Sequence, residues 1–130
     1  MISSSVALVL MVLLIVKHFI ADFPLQTTYM LGKSKKEGWV RPLFAHSSVH
    51  AVLTLAVLFG GLLAVLPWGL ALGIGIAFAL FDGIVHFVVD MIKAQGFSHY
   101  STSENKFWIA LGADQMAHYL TYAFIVFMLI

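Results

Sequence analysis

The chain consists of long apolar runs separated by short polar connections. Four runs can be distinguished, at residues 4–23, 42–66 and 68–93 and from residue 107 to the terminus. Each is long enough for a transmembrane helix, which needs about 20 mainly apolar residues. Pro24 is expected to end the first helix, and Pro42 suits the first turn of the second. We therefore predict an all-α, four-transmembrane-helix bundle that forms a single membrane-embedded domain over residues 1–130.

Small residues recur along the third run at the spacing of one helical turn. Gly69 and Gly73 lie on one face, and Ala71, Gly75 and Ala79 lie on another. Small side chains let membrane helices approach closely. Both faces are therefore candidates for helix contact.

The composition supports a membrane protein and excludes several other classes. Hydrophobic residues make up 62% of the chain and charged residues 10%, against about 45–50% and 25% in soluble domains. The formal net charge of +1 gives no basis for nucleic-acid binding. The chain has no cysteine, which excludes disulfides, thiolate catalysis and cysteine-based metal sites. Membrane lipids are the expected partners.

The basic residues predict the orientation of the bundle. All seven Lys and Arg fall at the same end of the predicted helices. Lys17 lies near the end of the first run, four basic residues lie in the 25–41 connection, and Lys93 and Lys106 flank the connection after the third run. The positive-inside rule places these connections in the cytoplasm and both termini on the non-cytoplasmic side. We expect the Lys17 side chain to extend to the lipid headgroups.

Each predicted helix carries two His or Asp residues four positions apart, a spacing that places both on one helical face. The pairs are His18 and Asp22, His46 and His50, His86 and Asp90, and Asp114 and His118. With the predicted topology and a rise of 1.5 Å per residue, all of them lie roughly 5–18 Å inside the cytoplasmic boundary. An ionised Asp at such depth costs about 2.5–3.5 kcal/mol. Some other group must therefore compensate this charge.

A divalent cation would compensate it, because it binds imidazole and carboxylate together. We predict one or two Zn, Mn or Fe ions bound by these residues, as in helix bundles that hold two metals with His and carboxylate side chains. Asp82 lies one turn from His86 and could orient that imidazole. Asp82 and Asp114 are the candidate general bases.

Structural interpretations remain open for individual residues. Any single pair could be an interhelical hydrogen bond. Asp114 would be an N-cap if the fourth helix began at Gly112, and His99 is expected to be a solvated loop residue. Three lysines of the first connection chiefly indicate topology but could also attract anionic lipids or substrates; they are Lys33, Lys35 and Lys36. Four uncharged polar residues near the His/Asp pairs could contact a substrate; they are Gln26, Thr27, Thr28 and Gln115.

Four segments resemble those of a bacterial and phage family of small multi-span membrane proteins that is catalogued as a domain of unknown function. They are His18-Phe-Ile-Ala-Asp22-Phe-Pro-Leu-Gln26, His46-Ser-Ser-Val-His50, His86-Phe-Val-Val-Asp90 and Asp114-Gln-Met-Ala-His118. The match covers nearly the whole chain. The resemblance implies insertion in a bacterial inner membrane and no established activity. The His/Asp pairs are also similar to those of bacterial inner-membrane proteins labelled metal-dependent hydrolases.

Three functions are compatible with the sequence. The first is a metal-dependent hydrolase that acts on a phospholipid, a prenyl phosphate or a similar amphiphile near the cytoplasmic face. The second is transport of a metal ion or a proton, although the apolar stretches 53–66 and 72–79 argue against a continuous path through one protomer. The third is a non-enzymatic membrane module with a structural metal or polar core. A homo-oligomer is compatible with all three.

Overall fold

The computed structural model describes residues 2–130, which form helices and no strands. The four α-helices are α1 (Ser4–Asp22), α2 (Val40–Leu62), α3 (Trp68–Gly96) and α4 (Asn105–Phe127). A short 3-10 helix, Met30–Ser34, lies between α1 and α2. The prediction of an all-α fold with four long helices is confirmed.

The helix ends follow local sequence signals and lie within a few residues of the predicted bounds. The Ser3 side chain caps α1 by accepting a hydrogen bond from the Val6 amide at 3.4 Å. α1 ends at Asp22, two residues before the proline that was expected to stop it. α4 begins at Asn105, close to the predicted start at Phe107, and not at the alternative start, Gly112. Asp114 therefore lies within the helix, and the N-cap interpretation is wrong.

The four helices form a closed ring in which each helix packs against the preceding and the following one. The Ile2 amide donates to the Leu129 carbonyl at 3.1 Å, so that the start of α1 lies beside the end of α4. We call this end of the bundle, which also holds the α2–α3 turn, the terminal end. The opposite end, with the connections 23–39 and 97–104, is the connection end.

Each helix buries one narrow stripe of side chains, and the character of this stripe changes along the bundle. Toward the terminal end the buried residues are apolar, and they include Leu10, Leu14, Leu58 and Ile125. Toward the connection end most buried positions are His, Asp or Lys, with a few apolar residues such as Leu43 and Ala94 between them. The bundle thus has an apolar half and a polar half.

Close contact between α2 and α3 is made by one of the two small-residue faces of α3. A Cβ atom at Gly75 would lie 3.1 Å from Leu55 Cδ1 and 3.5 Å from the Phe59 amide nitrogen. Ala71 and Ala79 are buried on the same face. A Cβ atom at Gly69 or Gly73 would meet no atom of the described residues within 4 Å. The contact prediction is therefore confirmed for the Gly75 face and wrong for the Gly69 face.

Three helices, α1, α2 and α3, are long and apolar enough to cross a membrane, which indicates a membrane protein. α4 is not among them. Its outward face is nevertheless apolar, because Ile109, Met116, Leu120 and Phe124 are exposed there, while its polar residues Asp114 and His118 are buried.

Candidate metal centre

The residues predicted as metal ligands come together inside the polar half of the bundle. Three groups each bring potential ligand atoms within 4.8 Å of one another, and together they contain every predicted ligand. The groups are His18, His50 and His86; Asp22, His46 and His50; and Asp90, Asp114 and His118. All of them are buried except Asp22, whose side chain is 16% exposed. The spacing and topology thus predicted a real spatial cluster.

Asp22 at the end of α1 joins imidazoles from two helices. Its Oδ1 atom lies 3.0 Å from His50 Nε2 and 3.3 Å from His46 Nε2. Its Oδ2 atom lies 3.1 Å from His18 Nε2, one turn earlier on the same helix. Three Nε2 atoms therefore lie close to a single carboxylate, and together these groups offer nitrogen and oxygen ligands to a metal ion.

Asp90 forms the second junction, between α2, α3 and α4. Its Oδ1 atom lies 3.3 Å from His118 Nε2, and its Oδ2 atom lies 3.2 Å from His46 Nε2. His46 Nε2 thus lies between the Asp22 and Asp90 carboxylates, although neither contact has the geometry of a hydrogen bond. Asp114 Oδ1 lies 3.5 Å from His118 Nε2. The two carboxylate junctions are therefore parts of one cluster.

The imidazole rings are packed directly on one another. The ring centroids of His50 and His86 are 3.6 Å apart, and those of His86 and His118 are 3.7 Å apart. The His18 ring lies 5.1–5.3 Å from these three. Parallel stacking leaves the ring nitrogens at the ring edges, where they can face a shared ligand.

Several buried polar atoms of this cluster make no hydrogen bond to any described residue. They are both ring nitrogens of His46, Nδ1 of His50, Nε2 of His86, Nδ1 of His118 and Oδ1 of Asp114. Buried polar atoms in folded proteins nearly always have a partner. Their grouping beside three carboxylates indicates that the cluster could bind a metal ion.

Asp82 lies behind His86, away from the carboxylate junctions. Its Oδ1 atom lies 3.1 Å from His86 Nδ1, and its Oδ2 atom accepts hydrogen bonds from Thr54 and, at 2.8 Å, from Lys17. A carboxylate on one ring nitrogen fixes the orientation of an imidazole whose other nitrogen can bind a metal. Both oxygens of Asp82 are engaged in this way, which favours the orienting role over that of a general base.

Lys17 does not extend to the headgroups, and that prediction is wrong. Its side chain is only 4% exposed and reaches across the bundle from α1 to the Asp82 carboxylate on α3. Its ammonium also lies 3.4 Å from the His50 carbonyl and 4.6 Å from the centre of the Tyr122 ring. A buried carboxylate attracts this ammonium more strongly than the distant interface does.

Two further lysines contact the cluster at its rim. Lys93 donates to Asp114 Oδ2 at 2.7 Å, and Lys33 donates to Asp90 Oδ2. Lys33 belongs to the 3-10 helix, which is held against α3 by a hydrogen bond from Gln95 to the Lys33 carbonyl at 2.8 Å. Together with Lys17, three ammonium groups therefore face four carboxylates, those of Asp22, Asp82, Asp90 and Asp114.

Tyr122 and Thr54 contact the cluster but were not predicted from the sequence. Gln115 also contacts it, although only a substrate contact was predicted for it. The Tyr122 hydroxyl lies 2.9 Å from His18 Nδ1. Gln115 accepts at 3.0 Å from His18 Nε2 and donates at 3.1 Å to Asp22 Oδ2. Tyr122 is one turn beyond His118, and Thr54 is one turn beyond His50, so extending the four-residue spacing would have found both. His99 is exposed in the 97–104 connection, as predicted.

One comparison identifies a family. The sequence profile described as "Protein of unknown function (DUF3307)" matches residues 9–130, nearly the whole chain. No curated protein and no solved structure gives a significant match.

Proposed function

Since the chain belongs to this family of unknown function, we propose a function from its geometry alone: an intramembrane metal-dependent hydrolase that acts on an amphiphile. The observation that carries this proposal is the set of buried imidazole nitrogens without hydrogen bonds beside the Asp22, Asp90 and Asp114 carboxylates. Such groups inside membrane proteins are usually functional.

The donor chemistry fits one or two divalent ions. Asp22, His46 and His50 would hold one ion, with His18 adjacent; Asp90, Asp114 and His118 would hold a second. Imidazole and carboxylate ligands suit Zn, Mn and Fe. A bound ion would supply Lewis acidity toward a phosphoryl or acyl oxygen and water activated at neutral pH.

If one ion is bound, by Asp22, His46 and His50, Asp114 holds no metal and is the better candidate for a general base than Asp82. Its Oδ1 atom is buried and makes no hydrogen bond to a described residue. Its Oδ2 atom accepts from Lys93, whose ammonium could bind an anionic substrate next to it. Asp82 would instead keep the Nε2 atom of His86 directed at the centre.

The proposed location is a bacterial inner membrane crossed by all four helices, with the connection end in the cytoplasm. The exposed apolar side chains of α4 support its crossing alongside the other three helices. The seven basic residues, all toward the connection end, support the orientation. The chemistry would then take place within the cytoplasmic half of the bilayer.

The apolar half of the bundle favours hydrolysis over transport. Leu10, Leu14, Leu58 and Leu62 are buried between the cluster and the terminal end. A transported ion would have to cross this layer without polar ligands, at high energetic cost. Transport would therefore need a second protomer or a large rearrangement.

Metal content is the direct test of the centre. Protein purified in a neutral detergent should contain one or two equivalents of a transition metal by elemental analysis. His46→Ala should reduce metal affinity by about tenfold or more, whereas His99→Ala, at an exposed histidine outside the cluster, should retain the wild-type content. Wild-type protein without stoichiometric metal would disprove the metal centre.

Turnover separates an enzyme from a structural metal protein. Metal-loaded protein should release phosphate from dodecyl phosphate, and chelation with EDTA should abolish the release. Asp114→Asn should lower the rate by about 10²–10⁴-fold if Asp114 is the base. A fully metallated protein without turnover of phosphate or carboxylic esters would favour the structural alternative. Saturable metal flux in liposomes, lost in His50→Ala, would favour transport.

A further inference from the structure

A largely apolar groove runs along the outer surface between α3 and α4, next to the candidate centre. Its volume is about 430 Å³, within the range of roughly 300–1,000 Å³ that is usual for ligand pockets. Val89, Ile92 and Ile109 contribute to its apolar walls, and Lys93 and Asp114 lie at its polar side. We call it the chain groove.

A smaller cavity of about 220 Å³ adjoins the chain groove at the connection end. Lys33, Asp90 and Lys93 line it, so it reaches the second carboxylate junction of the cluster. Lys93 and Ala110 line both cavities. We call the smaller cavity the head pocket. An apolar surface and a polar pocket thus meet at the edge of the centre.

The charges of the head pocket favour an anionic occupant once metal is bound. In the structure, the Lys33 and Lys93 ammonium groups pair with Asp90 and Asp114. A metal ion on these carboxylates would take over that pairing and leave the ammonium groups available as donors. Over the whole cluster, with neutral imidazoles, the four carboxylates and three lysines have a net charge of one negative unit. A single divalent ion turns this into one positive charge, and two ions raise it to three.

We propose that the head pocket and the chain groove together bind a single-chain phosphate amphiphile. The phosphate would lie between Lys33 and Lys93 beside the metal, and its apolar chain would lie along Val89, Ile92 and Ile109. Ammonium groups and a metal ion both recognise phosphate, and the groove opens on the helix faces that would contact lipid. This inference rests on the proposed metal centre and names the class of substrate for it.

Binding can be measured without turnover. The probe is radiolabelled dodecylphosphonate, whose carbon–phosphorus bond has no ester to hydrolyse. It should bind metal-loaded protein in a neutral detergent above the background of empty micelles. Unlabelled dodecylphosphonate should displace it at lower concentration than either dodecanol or inorganic phosphate, because only the amphiphile fills both cavities.

The head pocket is tested by charge removal. Lys33→Gln and Lys93→Gln should each weaken probe binding by about tenfold or more, as expected for loss of a hydrogen bond to a charged group. Lys36→Gln removes an exposed lysine that lines neither cavity and should bind as wild type. Equal binding by the Lys93 and Lys36 variants would overturn the proposal.

The chain groove is tested by filling it. Ala110→Trp places a large ring where the two cavities meet and should abolish probe binding. Gly112→Trp places the same ring on α4 where a Cβ meets no described atom within 4 Å, and it should leave binding unchanged. Circular dichroism and elemental analysis establish that both variants are folded and metallated. Undiminished binding by a folded Ala110→Trp variant would overturn the proposal.

The outcomes distinguish this inference from the proposed function. Normal metal content without probe binding would remove the groove proposal and leave the metal centre intact. Specific probe binding without hydrolysis of dodecyl phosphate would support the groove and count against the hydrolase. If inorganic phosphate displaced the probe at the same concentration as dodecylphosphonate does, the alkyl chain would contribute nothing to binding. That result would overturn the proposal of an amphiphilic ligand.

Discussion

At the scale of single residues, the most consequential contact is the buried ion pair between Lys17 and Asp82. The two side chains are almost fully buried, and they join α1 to α3 across the bundle. Asp82 in turn holds the His86 imidazole through Nδ1 at 3.1 Å. A charge on α1 therefore stabilises the carboxylate that orients a candidate ligand on α3.

Removing one partner of this pair should destabilise the fold more than removing both charges. Lys17→Met leaves the Asp82 carboxylate buried without its cation, and we expect a loss of about 3–5 kcal/mol in the free energy of unfolding. The double variant Lys17→Met with Asp82→Asn should recover a large part of that loss. The measurement is denaturant unfolding of the purified protein in detergent.

Lys36→Met is the control for this experiment, because Lys36 is exposed in a connection. It should change the stability by no more than about 0.5 kcal/mol. Equal stability of the single and double variants would show that the pair does not compensate buried charge.

At the scale of elements, α3 combines two functions in one buried stripe. Its first half carries Ala71, Gly75 and Ala79 against α2, and its second half carries Asp82, His86 and Asp90 into the cluster. The small residues bring the α2 and α3 backbones close together. The acids and histidine of α3 are thereby placed within reach of His46 and His50 on α2.

The two faces of α3 provide a matched pair of substitutions. Gly75→Leu should destabilise the protein by about 1–3 kcal/mol through overpacking against Leu55 and Phe59. Gly73→Leu should be neutral or stabilising by up to about 1 kcal/mol, because leucine favours helix and the position is open. Thermal unfolding in detergent compares the two. Equal effects would contradict the close α2–α3 packing.

The sequence predicted the helices and the clustering more completely than the pairing within the cluster. Long apolar runs and the four-residue spacing are local properties, so they can be read from one chain. The spacing placed both Asp82 and Asp90 one turn from His86 and named Asp82 as the residue that could orient it, but the neighbouring helices determine which carboxylate the imidazole contacts. Lys33 could not have been assigned to Asp90, because its position depends on Gln95, which lies 62 residues along the chain.

At the scale of the whole molecule, the bundle is polar at one end of its interior and apolar at the other. All basic residues lie toward the polar half, and the outer faces of the helices are largely apolar. This asymmetry supports the orientation proposed above. In that orientation the candidate centre would lie closer to the cytoplasmic surface of the bilayer than to the other.

Cysteine labelling tests the proposed orientation, since the natural chain has no cysteine. In spheroplasts of a bacterial host, a membrane-impermeant maleimide should label Ser4→Cys, near the start of α1, and Ala64→Cys, in the α2–α3 turn. It should label Ser103→Cys, in the 97–104 connection, only after the membrane is permeabilised. The reverse pattern would contradict the orientation, and labelling of Ser103→Cys alongside Ser4→Cys without permeabilisation would show that α1, α2 and α3 do not all cross the membrane.

The packed leucines at the terminal end have a kinetic consequence for any reaction at the cluster. They close the interior on that side, so in the proposed site reactant and product would share the opening beside α3 and α4. A product that still carries the apolar chain would occupy the place needed by the next reactant. Competitive inhibition by the lipophilic product is therefore the expected steady-state pattern.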